Sequence, residues 1–423
     1  MSSTYHHLTR RPRRLAFGLA ALASLALACA PRAPAAGSSV LQITGAGDGH
    51  GVGMSQEGAL GFAQHGWSYR SILAHYYTGT SLGQQTPGTQ VRVLLSAGRT
   101  RASFSGASLA AGHPLNQAAV YTVTLTGHGV TLRGPGVAIS APSLSVTGSG
   151  SLQLRATAEN GVVNGSYRGA LGFTRSGGGL DVINTLSLED YVRGTIAAEM
   201  PASWPAAALD AQAVASRTYA ITAQAGPRGL FDVYTDTRSQ MYRGVAGETP
   251  ATNSAAAATA GTVVTYKGRP AITFFFASSG GKTENVQDAF GGSAEPWLRG
   301  VSDPFDGGPQ HHWSVSMSFA SASARLAGLL RGSFRGIEVL RRGYSPRILS
   351  AYVLGSAGRT LTTGGELAAR LGLYDSWAYF SVRTPHGLTP EPDLSSSAPT
   401  SPQTSPSPPA EPVGVAQGGT SAE

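Results

Sequence analysis

Cysteine is all but missing from this chain: 423 residues contain one, Cys29. A lone thiol excludes a disulfide framework and any zinc site built on cysteines. Charge is scarce too, at 13% of residues, and Gly, Ser, Thr and Ala fill its place. That balance disfavours long charged helices and favours short strands, turns and small-residue packing. Beyond the N-terminal segment no apolar run is long enough to cross a membrane, and no internal repeat is present. GAGDGHGVGM (45–54) offers no G-x-G-x-x-G in any register, and Gly58 is followed by Ala59 rather than by Lys. A dinucleotide fingerprint and a P-loop are therefore both excluded. His50, His65 and His75 lack the partner spacing of a metal site.

What is present begins with an export signal. Arg10, Arg11, Arg13 and Arg14 form a basic start, LAFGLAALASLALA an apolar stretch, and Ala26-Leu27-Ala28 a small-x-small cleavage site, so residues 1–36 read as a signal peptide. Cleavage after Ala28 removes four arginines and no acid, which takes the formal charge from +8 to +4. A mildly basic mature protein suits an anionic wall environment and gives no argument for nucleic acid. Cys29 follows the cleavage site directly. It is either the lipid-modified first residue of the mature chain or is discarded by a later cut after Ala35; Ala26 stands where a lipobox prefers Leu.

Residues 88–186 carry alternating runs such as VRVLL, VYTVTL and SLQLRA between Gly, Pro and Ser turns, the pattern of a β-rich part. Helices follow. Ser187-Leu188-Glu189-Asp190 reads as a capping box leading into YVRGTIAAEM, which Pro201 stops, and Pro205 opens an Ala-rich helix through Gln224. Glu199 thus stands on a fixed corner between two helices. LTTGGELAARLGL reads as a late helix and WAYFSV as a last strand, whereas residues 386–423, rich in Pro, Ser and Thr, read as a disordered tail.

Taken whole, GAGDGHGVGMSQEGALGFAQHGWSYRSILAHYYTGT (45–80) resembles the closing segment of the SpoIID/LytB family, peptidoglycan lytic transglycosylases of the stage II sporulation protein D type. SLEDYVRGTIAAEMPASWPAAALDAQAVASRTYAI resembles the family's catalytic segment, and YTDTRSQMYRG, FFFASSGGKTENV and PWLRGVSDPFD its following blocks. The resemblance covers residues 40–385 and implies a β-rich α+β domain with a catalytic helix pair and glycine-rich cleft loops. Asp48 and Glu57 replace frequent aromatics, Ala197 a frequent proline and Ser216 a frequent alanine. Members that bind zinc do so through Cys and His; without the thiols, neither zinc nor another cofactor is expected here. The order also departs: the GHGVGMSQ segment closes the family domain but comes first in this chain. Residues 40–80 are therefore expected to be a permuted closing segment, with LQITG (41–45) beside WAYFSV (377–382) and His50–Gln56 in one cleft with Glu199.

A lytic transglycosylase manages with one carboxylate, because the substrate's own C6 hydroxyl replaces activated water. Glu199 matches the family's EMP glutamate and is the expected catalytic acid; the competing reading is a helix-end carboxylate paired with an arginine such as Arg217. Glu189 and Asp190 read as first-turn helix acids. Candidate glycan-binding groups are His50, Ser55 and Gln56, with Gly49, Gly51 and Gly53 allowing close backbone approach to a sugar; Gln212, Arg217 and Tyr219 on the second helix; and Ser278, Ser279 and Thr283 in a glycine loop, where plain turn residues are the alternative. Trp67, Tyr76 and Tyr77 read as packing rather than sugar-stacking rings.

The expected function is an exported lytic transglycosylase that cleaves peptidoglycan glycan strands and leaves 1,6-anhydro-muramic ends. The alternative is a non-catalytic wall-binding activator of an N-acetylmuramoyl-L-alanine amidase, as the LytB name implies. The expected partners are glycan strands and, in the second case, the amidase; contact with a membrane comes only through the signal or a lipid on Cys29.

Overall fold

The computed structural model of the chain describes residues 39–223, 225–226, 229–384 and 387–390. The signal segment, Cys29 and the chain after Pro390 lie outside the described residues. The fold is α+β, with eight α-helices among the described residues: α1 (Gln56–Gln64), α2 (Tyr69–Tyr76), α3 (Leu188–Glu199), α4 (Ala206–Thr222), α5 (Pro250–Ala258), α6 (Val286–Phe290), α7 (Phe319–Arg325) and α8 (Gly364–Leu371).

The alternating runs form two sheets. One has seven strands and places Gly179–Ser187 between Gln90–Arg99 and Ala170–Ser176; the other has six and includes Arg101–Ser105 and Tyr121–Thr126. Gly179–Leu186 is buried on both faces except at Thr185, and its buried positions include two polar side chains, Asp181 and Asn184. Phe104 and Phe173 meet with ring centroids 5.4 Å apart in the main core. The same core takes up the inner faces of α1 to α5.

Ser187 caps α3 by accepting the Asp190 N–H (3.1 Å). Its hydroxyl in turn donates to the Asp190 carboxylate (2.8 Å), so the two side chains lock each other. The expected box is thus half made: the acid holds the cap's hydroxyl, not its backbone. α3 ends at Glu199 because Pro201 cannot continue it.

A second, separate core holds Leu41, Ile43, Trp313, Met317, Ile337, Val353, Leu371 and Phe380. Here Val40–Gly45 is a central strand of a four-stranded sheet, antiparallel to Trp313–Ser318 on one edge and to Ala378–Thr384 on the other. Ile43 faces Val315 and Phe380 across the two ladders, and Leu41 faces Met317 and Val382. The first described strand is therefore clamped between two late ones. Gly387–Pro390 adds an edge strand beside Ala378–Thr384, which corrects the expected start of the tail at 386: main-chain pairing at a sheet edge needs no buried apolar side chain.

From Gly45 the chain runs through loop 46–53, then pairs Met54 and Ser55 in parallel with Phe275 and Phe276 before entering α1. Arg347 and Asp375 lock this loop to the second core through a buried ion pair (2.6 Å). Arg347 also donates to the carbonyls of Lys282 (2.9 Å) and Ser279 (3.2 Å). Glu284, fully buried, accepts the backbone N–H groups of Tyr344 and Ser345.

Candidate functional site

Glu199 is the last residue of α3, and its side chain is held from two sides. Oε1 accepts the Met241 backbone N–H at 2.5 Å, and Oε2 accepts the Gln56 amide at 3.3 Å. Gln56 also donates to Gln212 (3.4 Å), which donates to Ser216 (2.9 Å) on the same face of α4. Gln56, Gln212 and Ser216 are all buried. Burial pushes the Glu199 carboxyl above its ordinary range; the Met241 N–H, the Gln56 amide and the charge of Arg243 pull it back only in part. No carboxylate is among the groups that shift it. The arrangement is a single acid, desolvated enough to keep its proton longer and fixed by donors that also support its anion.

Tyr219 stands beside this group: burial and the Glu199 charge both raise its phenol. Its ring contacts Phe274 (6.1 Å between centroids), which contacts His50 (6.0 Å). His50 therefore sits one aromatic layer from Tyr219, also against Phe276 and Phe290, and its Nδ1 accepts the Val52 N–H (3.0 Å). Of the opening motif, Gln56 donates directly to Glu199.

Several expected contacts are overturned. Arg217 is fully buried and pairs in a bidentate manner with Glu189, not with Glu199 (2.9 and 2.8 Å). Its remaining donors go to the carbonyls of Ala213, Ala256 and Thr262. It has no donor left for a glycan, and the competing reading of Glu199 as its partner fails as well. Ser55 is spent as the N-cap of α1, accepting Gly58 N–H (3.1 Å), at 0% exposure. Ser278 and Ser279 both donate to Asp306 (2.9 Å each), and the Thr283 hydroxyl accepts Val301 N–H (2.8 Å). These three hydroxyls are buried turn elements, not a sugar-binding rim.

The glycines serve the protein rather than a sugar. A Cβ at Gly51 would stand 2.5 Å from the Arg347 guanidinium, one at Gly53 2.0 Å from the Phe274 carbonyl, and one at Gly49 2.9 Å from Phe276. All three have positive φ, from 79° to 117°, so they admit neighbouring groups of the chain itself. Trp67, Tyr76 and Tyr77 are buried packing residues. Among the described residues no group of three or more His, Cys, Asp or Glu is placed to hold a metal ion.

One part of the site carried no signal in the sequence: the Met241 N–H is a backbone donor with no residue signature, though it lies in the YTDTRSQMYRG block. Away from Glu199, Asp303 is fully buried beside Tyr76, and burial and the neighbouring Asp306 push its carboxyl up to about 7.

The family model for the stage II sporulation protein, SpoIID, matches residues 176–266, a stretch that contains Glu199, Gln212, Tyr219 and Met241 and leaves the opening motif outside. The chain is 29% identical to stage II sporulation protein D of Bacillus subtilis over 208 residues, 45% of this chain and 59% of that protein. It is 34% identical over 174 residues to an uncharacterised protein of Brachyspira hyodysenteriae, 40% of this chain and 47% of that one. It is 36% identical over 127 residues to the amidase enhancer of B. subtilis, 30% of this chain and 17% of the enhancer. The chain thus spans about half the length of the first two of these relatives. The match at the helix pair, with the half-buried glutamate where that pair turns, and the relatives named stage II sporulation protein D and amidase enhancer support membership of the SpoIID/LytB family.

Proposed function

We propose that this protein acts on the bacterial cell wall as an exported lytic transglycosylase, with Glu199 as its one acid-base residue. The observation that carries the reading is the lone, desolvated carboxyl held by Met241 and Gln56. A hydrolase of glycosidic bonds ordinarily needs a second carboxylate to activate water or to attack the sugar. Glu199 instead gives its proton to the glycosidic oxygen as the C1–O bond breaks. The resulting carboxylate takes the proton of the muramic C6 hydroxyl, whose oxygen closes onto C1. One bond breaks and one forms, no water is consumed, and Glu199 ends protonated. Burial favours the acid form that starts the cycle, and the two donors stabilise the anion formed midway. Gln56, Tyr219 and His50 are the groups we assign to meet the sugar, with the fully buried Gln212 holding the Gln56 amide.

The position of Val40–Gly45 between two late strands supports reading residues 40–80 as the closing segment of a circularly permuted domain. Export rests on the signal segment, and the lipid on Cys29 remains part of that proposal. A second reading is favoured by the amidase-enhancer relative: wall binding without cleavage, with stimulation of a separate amidase. Mass spectrometry of purified glycan after incubation with the protein separates the two. The enzyme releases fragments one water lighter than hydrolytic products; the activator releases none by itself and raises amide cleavage by an added amidase.

A further inference from the structure

The hairpin of Thr262–Tyr266 and Arg269–Pro270 carries a feature that the Glu199 site does not use. Its register pairs Tyr266 with Arg269, leaving a two-residue turn of Lys267 and Gly268 with φ of +50° and +75°. Both central positions of such a turn favour Gly, Asn or Asp. Lysine is held there against its backbone preference, and an outlier of this kind points to a role for the side chain.

That side chain has a defined setting. Lys267 Nζ lies 5.4 Å from the centroid of the Tyr266 ring, and this ring lies 5.0 Å from that of Trp297, with the planes 37° apart. Trp297 is fixed by donating its Nε1 hydrogen to the Ile272 carbonyl (2.9 Å). Together with Arg269, Pro270 and Ala271 these residues line a half-open cavity of about 520 Å³. The lining holds two cations and no carboxylate, and neither Lys267 nor Arg269 has an ion-pair partner among the described residues. Both aromatic rings are half-buried, so each keeps surface toward the cavity. None of the six residues takes part in the hydrogen-bonded group around Glu199.

Two tilted aromatic faces beside two cations without ion-pair partners fit a ligand with an apolar ring face and a negative group. We propose that this cavity binds an anionic saccharide, with its ring against Trp297 and Tyr266 and its carboxylate or phosphate on Lys267 and Arg269. The site is independent of the chemistry assigned to Glu199. It holds wall polymer whether the protein cleaves it or not.

The test uses the purified full chain, its Lys267→Gly and Arg269→Gln variants, and the double variant. Glycine is the residue the turn prefers, so Lys267→Gly keeps or raises the melting temperature while removing the cation. Binding is measured by calorimetry and co-sedimentation to three probes: peptidoglycan freed of phosphate polymers, purified polyglycerol phosphate bearing sugars, and neutral chitooligosaccharide. At least one anionic probe should bind with an affinity that falls about tenfold in the double variant and falls with added salt, and the neutral probe should bind more weakly. Loss confined to peptidoglycan assigns the charge to carboxylates, and loss confined to the phosphate polymer assigns it to phosphates. If neither anionic probe binds, or if the folded double variant binds both as well as the parent, the proposal is overturned.

Discussion

Replacing Asp303 by Asn should change how stability depends on pH. Asp303 has no exposed surface, and its Oδ1 accepts the Tyr76 hydroxyl at 2.8 Å. A Cβ at Gly58 would stand 2.3 Å from Oδ2, so the carboxyl lies directly against the first turn of α1. Asp306, three residues on, accepts from the hydroxyls of Ser278 and Ser279 and from the Gly280 N–H. Burial first and Asp306 second raise the Asp303 pKa from 3.8 to about 7, with the hydroxyls of Ser279, Tyr76 and Ser55 pulling the other way. The folded state therefore holds a proton that the unfolded chain has already lost. The stability this contributes is complete below pH about 4 and disappears as the pH rises toward about 7, at about 1.4 kcal/mol per pH unit and roughly 4 kcal/mol in all. Asn keeps the shape and still accepts from Tyr76, but it cannot ionise. Urea unfolding followed by tryptophan fluorescence across this range should give a wild-type stability that falls more steeply than that of Asp303→Asn by about that slope. The other carboxyls with raised pKa values act in both proteins and cancel. Parallel curves would refute the claim that Asp303 is protonated in the folded protein.

Three further outcomes follow from named contacts. Glu189→Ala leaves the Arg217 guanidinium buried without its carboxylate and strips the Gly261 N–H of its acceptor; it should cost about 3 kcal/mol in urea unfolding. Gly51→Ala adds a Cβ 2.5 Å from the Arg347 side chain at φ +83°; it should cost about 2–4 kcal/mol and lower the melting temperature. Gln56→Ala removes one of the two hydrogen bonds that fix Glu199, so kcat for glycan cleavage should drop on the order of tenfold. Because that amide lowers the Glu199 pKa, its loss should also move the alkaline limb of the pH–rate profile to higher pH, with no such movement if Gln56 only supports the fold.

The elements around the site were legible because local chemistry decides them. Ser187 and Pro201 bound the first helix, Pro205 starts the second, and both glutamate-bearing ends follow from those residues alone. Long-range partners were not legible. The sequence reading offers Arg217 only the helix-end carboxylate of Glu199, and only the crossing of α3 and α4 shows that it meets Glu189 instead. The hydroxyls of Ser278 and Ser279 read as free in a glycine loop until the fold brings Asp306 beneath them. The same holds for Gly49, Gly51 and Gly53: the need for a missing Cβ was clear, but what fills the space is Phe276, Arg347 and Phe274 from distant parts of the chain. The pairing of 41–45 with 377–382 was anticipated from the order of the resembling blocks, and the ladder between them is observed in antiparallel register. The Met241 N–H had no signal to find, because every residue but proline offers the same donor.

The central claim is that Glu199 alone moves the proton. Its most direct test is the mass spectrum of products from purified glycan treated with wild-type protein and with Glu199→Gln. The amide preserves the hydrogen-bonding shape but has no acid proton to give, so the folded variant should bind glycan and release no anhydro fragment, while the wild type releases them. Anhydro products from Glu199→Gln at the wild-type rate would contradict the account.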